Sequence, residues 1–159
     1  MHRSVFGISL LVFTIFSTSV FSFADEAAIF SKGQMIYVPA YSHIYSGDRE
    51  QKFLLTVTLS IRNTDLKRPI RITTVDYYET QGILLKKYIE TPVTLKPLES
   101  IRYVIPESDK TGGSGANFIV AWESDNLVNA PVVESIMIGT RSQQGISFTS
   151  RGQAISNPE

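Results

Sequence analysis

Between Phe53 and Ile61 the chain alternates, with Phe53, Leu55, Val57, Leu59 and Ile61 on one side and Thr56, Thr58 and Ser60 on the other. Side chains that switch faces at every residue belong to a β-strand with one buried face, and no helix repeats at two. Asn63-Thr64-Asp65 ends the run with side chains that bond their own backbone, so a turn is expected there. Alternation restarts at Ile70-Arg71-Ile72-Thr73 and continues through Val75, Tyr77 and Tyr78 with a change of phase near Thr74. A change of phase within one strand predicts a bulge or bend.

Further strands are expected at Met35 to Val38, Leu84 to Ile89, Ile101 to Ile105, Phe118 to Trp122, Val132 to Ile138 and Ile146 to Thr149. The run Phe118 to Trp122 is apolar on both faces, which predicts a central strand. Pro92 and Pro97 bracket a segment that must be an edge strand or a strap, because proline donates no ladder hydrogen bond. Seven to nine short strands without helical periodicity after residue 24 predict an all-β fold, an immunoglobulin-like two-sheet sandwich.

The first residues follow another pattern. His2 and Arg3 precede an almost wholly apolar run from Val5 to Phe16, and Ser22-Phe23-Ala24 closes a small, polar stretch. This reads as a signal peptide helix over 1–24, cleaved after Ala24, and so as a periplasmic or secreted protein. The rival reading is an uncleaved anchor, the one case in which membrane contact is expected; its serines and threonines suit a membrane span poorly. A lead-in over 25–34, a β-sandwich domain over 35–155 and a frayed tail over 156–159 complete the expected organisation.

Composition narrows the chemistry. The chain has no cysteine, which rules out disulfides and thiolate metal sites, and its 15 basic and 15 acidic residues balance. No basic stripe argues for nucleic acid. Only His43 remains beyond the leader, too few nitrogen ligands for a tetrahedral zinc site without a carboxylate cluster, so neither metal nor cofactor is expected.

Three segments invite chemical readings. Gly112-Gly113-Ser114-Gly115-Ala116 lacks the Lys-Ser/Thr and helix start of a phosphate loop, and it leads into a strand where a nucleophile elbow leads into a helix. It is expected to be a loop. Tyr37, Tyr41, His43 and Tyr45 recur at every second position, or every fourth, and would share one face of an extended segment. That row could line a groove for a sugar or peptide, or pack as an edge strand. The block Arg141 to Arg151, with Gln143 and Gln144, is densely polar, and its arginines suit a carboxylate or phosphate. Arg62 and Asp76 complete the candidate ligand-binding set, with Asp76 expected to pair with Arg62 or Arg71.

The blocks Tyr37-Val38-Pro39-Ala40-Tyr41-Ser42-His43-Ile44-Tyr45, Ser60-Ile61-Arg62-Asn63-Thr64-Asp65, Gly112-Gly113-Ser114-Gly115-Ala116-Asn117-Phe118 and Ser142 to Gly152 are similar to a bacterial family of small exported proteins classed as a domain of unknown function. The resemblance implies the same fold and address, and no reaction or substrate. Family members often begin with a lipid-attachment cysteine, which this chain lacks.

Two functions are therefore weighed. The first is a non-enzymatic binding or assembly module of the bacterial cell envelope, contacting an envelope protein or a glycan. The second is a hydrolase with His43 as general base near a serine (Ser42, Ser46 or a remote one) or an aspartate, which requires His43 within about 2.6–3.2 Å of a hydroxyl or carboxylate.

Overall fold

The computed structural model describes residues 30–47, 50–140 and 145–156, and no helix occurs among them. The expected signal peptide helix over 1–24 lies outside the described residues, as do Gln143 and Gln144. Twelve strands follow in chain order among the described residues. They are β1 (Phe30–Pro39), β2 (His43–Ser46), β3 (Gln51–Leu54), β4 (Thr56–Arg62), β5 (Ile70–Tyr78) and β6 (Leu84–Lys87). The second half holds β7 (Val93–Leu95), β8 (Ser100–Ile105), β9 (Asn117–Asn129), β10 (Val132–Gly139), β11 (Ile146–Arg151) and β12 (Gln153–Ser156).

A six-stranded sheet has the order β12-β1-β9-β5-β6, with β7 also on β5; a four-stranded sheet has the order β11-β10-β4-β8; β2 and β3 form a separate hairpin. Every pairing is antiparallel. The strand that is apolar on both faces, β9, lies between β1 and β5, as its sequence requires. The phase change near Thr74 is a register shift between Ile72 and Thr74 where β5 meets β9. The proline-bracketed segment is β7, a short strand on the flank of β5.

One cluster of buried side chains unites the two larger sheets. Val57, Leu59 and Ile61 of β4 and Val133 and Met137 of β10 belong to it, together with Val75 of β5 and Phe118, Val120 and Trp122 of β9. Fully burying one such side chain stabilises by about 1.5–3 kcal/mol, so this shared interior is the main reason the sheets stay together. Between β8 and the β5–β6 side the seam is aromatic: Tyr88 meets Tyr103 at 5.1 Å and Phe118 at 5.9 Å, and Tyr77 meets Phe118 at 5.0 Å.

Among the described residues the expected two sheets of seven to nine strands are three sheets of twelve strands, and two local features contribute to the difference. Leu54 and Leu55 are both buried, which a continuous alternating strand cannot achieve. The chain therefore bends at Leu55, whose amide donates to the Ser42 carbonyl at 3.0 Å, and the single expected strand divides into β3 and β4. At Gly152 the chain passes from the smaller sheet to the larger one. Its amide donates to the Val133 carbonyl at 2.8 Å, and a Cβ there would sit 2.6 Å from Ile36 Cγ2. Only glycine lets β11 and β12 run on through so close an approach.

Candidate functional site

The hairpin end of the domain gathers most of the aromatic candidates. After β1 the segment Ala40–Ser42 leaves the sheet: the Ala40 amide donates to the Ala116 carbonyl at 2.8 Å, and the Ser42 amide to the Gly113 carbonyl at 3.0 Å. This break separates Tyr37, on β1, from the row expected to contain it. Tyr41 turns to Phe148 of β11, with ring centroids 6.0 Å apart. His43 and Tyr45 remain together on β2, edge to face at 5.2 Å, with Tyr45 about half exposed.

His43 is buried, and neither ring nitrogen has a hydrogen-bond partner. Burial, assisted by the charge of Lys52, holds its pKa below the ordinary value, so the ring is neutral at physiological pH. The Ser42 hydroxyl is committed elsewhere, 3.1 Å from the Tyr77 hydroxyl. Burial raises the Tyr77 pKa, partly offset by that bond to Ser42, and Asp109 raises it further. A general base needs a proton donor within reach, and His43 has none among the described residues. The geometry gives the hydrolase reading no support.

The glycine-rich loop 112–116 is a packing element. The Thr80 amide and hydroxyl both donate to the Gly112 carbonyl at 2.9 Å, and the Gly115 amide donates to the Thr80 hydroxyl at 3.0 Å. A Cβ on Gly112 would fall 1.8 Å from the Tyr77 hydroxyl oxygen, so this position has to be glycine. Thr80 had no sequence signal; an isolated threonine after a strand looks like any other exposed polar residue.

At the opposite end, Asn63 and Asp65 bind three loops into one unit. The buried Asn63 amide donates to the carbonyls of Arg68 at 2.9 Å, Leu95 at 3.2 Å and Lys96 at 3.0 Å, while its oxygen accepts from the Asp65 amide at 3.0 Å. The Asp65 carboxylate accepts from the amides of Lys67 and Arg68, each at 2.9 Å, and of Asn129 at 3.2 Å. The bond from the Lys67 amide leads the causes that depress the Asp65 pKa. The turn foreseen from Asn63-Thr64-Asp65 is present, and it is also a clasp between segments far apart in sequence.

The charged candidates divide between the sheets. Arg62 reaches Glu134 at 3.5 Å, and its Nε donates to the Ser60 hydroxyl at 3.0 Å. Glu134 also stands opposite Arg151 in register, so Arg62 and Arg151 flank one carboxylate on the smaller sheet. Asp76 lies in the larger sheet opposite Lys87, and Arg71 pairs with Glu123. Neither expected pairing of Asp76 forms. Nor do the candidates converge: His43 sits beyond one end of β4 and Arg62 closes the other, about 20 Å away at 3.3 Å per residue. Among the described residues no group of three or more His, Cys, Asp or Glu could hold a metal ion.

The smaller sheet also offers an unpaired margin. β11 pairs only with β10 among the described strands; Ser147, Thr149 and Arg151 on it are exposed, and Ile146, Phe148 and Ser150 are half-buried. Its outer backbone edge runs from the Tyr41–Phe148 contact to Arg151.

A sequence model for a family described as "Protein of unknown function (DUF3124)" matches residues 33–155. No curated protein matches the chain. A solved structure described as "Crystal Structure of Thermotoga maritima 1070" aligns with 79% of this chain and 97% of that one, at 11% identity and a TM-score of 0.47.

Proposed function

The chain belongs to the DUF3124 family of proteins of unknown function, and from that premise we propose that it is a non-enzymatic binding or assembly module of the bacterial cell envelope. In this reading residues 1–24 direct export, cleavage follows Ala24, and the two larger sheets form an immunoglobulin-like sandwich that serves as scaffold. The observation that carries the proposal is the margin of β11. A strand with one unpaired backbone edge accepts a partner's extended segment as an added strand. Main-chain hydrogen bonds then supply affinity, and the alternating side chains supply selectivity.

The neighbours of that edge suit an extended polypeptide. Tyr41 and Phe148 offer an aromatic contact at one end, and Arg62 and Arg151 flank Glu134 at the other. A protein partner is favoured over a glycan, since an unpaired ladder edge recognises backbone amides and carbonyls directly. Lysine at Ser147 and Thr149 should blunt the edge, because charged side chains on an edge strand oppose further pairing. Affinity capture from envelope extract should recover the same protein with the native chain and lose it with the Ser147→Lys/Thr149→Lys double variant. Equal recovery by both, or none by the native chain, would remove the edge from the account.

A further inference from the structure

The β2–β3 hairpin is joined to the domain by few bonds. Its cross-strand pairs, from His43 with Leu54 to Ser46 with Gln51, link the hairpin only to itself, and among the described strands neither larger sheet pairs with it. A two-stranded hairpin is marginally stable on its own in water, so its position depends on what seats it. Two amides do so at its root: Ser42 donates to the Gly113 carbonyl and Leu55 to the Ser42 carbonyl, each at 3.0 Å. The rest of the seat is apolar. Leu54 is buried, Ile44 and Phe53 pack on the core, and a Cβ on Gly139 of β10 would lie 2.8 Å from the Leu54 carbonyl oxygen.

An imidazole sits within this apolar seat. His43 is 5% exposed, and both ring nitrogens are buried without a hydrogen-bond partner. The neutral ring leaves one donor and one acceptor unused there. The protonated ring would bury two donors and a charge, with no acceptor or counter-ion. Lys52 of β3 adds a like charge, and Tyr45 meets the ring edge to face. Tyr77, bonded to Ser42, is kept neutral by burial, and the charge of Asp109 bears on Tyr77. The loop 112–116 and Gly139, on which the hairpin rests, carry no charged side chain. Phenylalanine or leucine at 43 would hold the hairpin at every pH; histidine holds it only while neutral.

We propose that the β2–β3 hairpin is an acid-released flap, closed on Gly139 and the 112–116 loop while His43 is neutral and unseated when a proton enters the ring, with the two larger sheets intact. Release bares Ile44, Phe53 and Leu54 and uncovers the end of β10 and β11 where Gly139 faces Ile146. The closed state holds the ring below its ordinary 6.5, and the released ring regains that value, so each opening between the two takes up one proton. The opening constant then rises about tenfold for each pH unit below 6.5 until the folded value is reached. The flap does not depend on the β11 edge having a partner.

Hydrogen exchange followed by NMR tests this, with rates divided by the intrinsic rate at each pH to give protection factors. The Ser42 and Leu55 amides, which seat the hairpin, should lose protection by up to about tenfold per pH unit between 6.5 and about 5, above the ordinary carboxylate range. The amides of Val57 on β4 and Trp122 on β9 should keep theirs. The ring carbons of His43 should titrate in step with the loss, which tests the coupling in the native chain. His43→Phe and His43→Leu should each abolish the loss, with Trp122 emission verifying the fold. Constant protection at Ser42 and Leu55, an equal loss in a folded variant, or a ring that titrates without any loss would overturn the proposal. So would a parallel loss at Val57 and Trp122, which would make the event unfolding of the whole domain.

Discussion

Replacing Asn63 by alanine removes one side-chain amide that serves four backbone groups. Its two N–H bonds are shared among the carbonyls of Arg68, Leu95 and Lys96, and its oxygen takes the Asp65 amide. Asn63 is only 2% exposed, so water cannot simply fill the site. The Leu95 carbonyl bond is buried, whereas the bonds to Arg68 and Lys96 lie nearer solvent and can be partly replaced. A net hydrogen bond is worth about 0.5–1.5 kcal/mol and a buried group left unpaired costs about 1–3 kcal/mol, which places the loss at about 2–4 kcal/mol. At about 3–5 °C per kcal/mol for a domain of this size, Tm should fall by about 10 °C. The single tryptophan, Trp122, is buried at 1% exposure and reports unfolding by the red shift of its emission. Asn63→Asp, which turns an acceptor toward three carbonyls, should be at least as damaging. A loss below about 1 kcal/mol in Asn63→Ala, or native stability in Asn63→Asp, would refute the clasp, since one ordinary hydrogen bond accounts for that much.

Four further expectations follow from the same geometry. Asp65 has a pKa depressed below 3.8 by the amides that bind it, so its contribution is present above that value and is lost as pH falls through the folded pKa; Asp65→Asn should be less stable at neutral pH and show a shallower acid limb in denaturant titrations. His43 is held below 6.5, so the unfolded chain takes up a proton first and stability declines as pH falls from 6.5 through the folded value; His43→Phe should flatten that portion of the profile. Gly112→Ala should cost about 1–3 kcal/mol by driving a methyl into Tyr77, while Ser114→Ala should stay within about 0.5 kcal/mol, because no bond of the loop is made by that hydroxyl. Leu98→Asn should raise thermal stability by up to about 1 kcal/mol, because asparagine tolerates the left-handed backbone that strains leucine.

Much of the fold was legible wherever local pattern and tertiary role agree. The alternation of Val57, Leu59 and Ile61, the apolar run of Phe118 to Trp122 and the phase change near Thr74 each became the element their sequence describes. The bend at Leu55 was hidden, because the run of alternate residues from Phe53 to Ile61 continues unbroken through a point where the backbone turns away. The crossing at Gly152 was hidden too: a glycine in a polar strand does not reveal which sheet receives the next residue.

The candidate site was less legible, since proximity across sheets has no local signature. Tyr41 and His43 are two residues apart, yet one meets Phe148 and the other is enclosed beside Tyr45. Arg62 and Arg151, nearly ninety positions apart, flank the same Glu134.

The central claim is that this domain works by offering the edge of β11 to a partner chain. Site-specific photo-crosslinking in living cells tests it most directly, with the reactive side chain placed at Ser147 or Thr149 and, as control, at Arg102 on β8. The account predicts one adduct of defined mass from positions 147 and 149 and none from 102. The same adduct from all three positions, or none from 147 and 149, would contradict it.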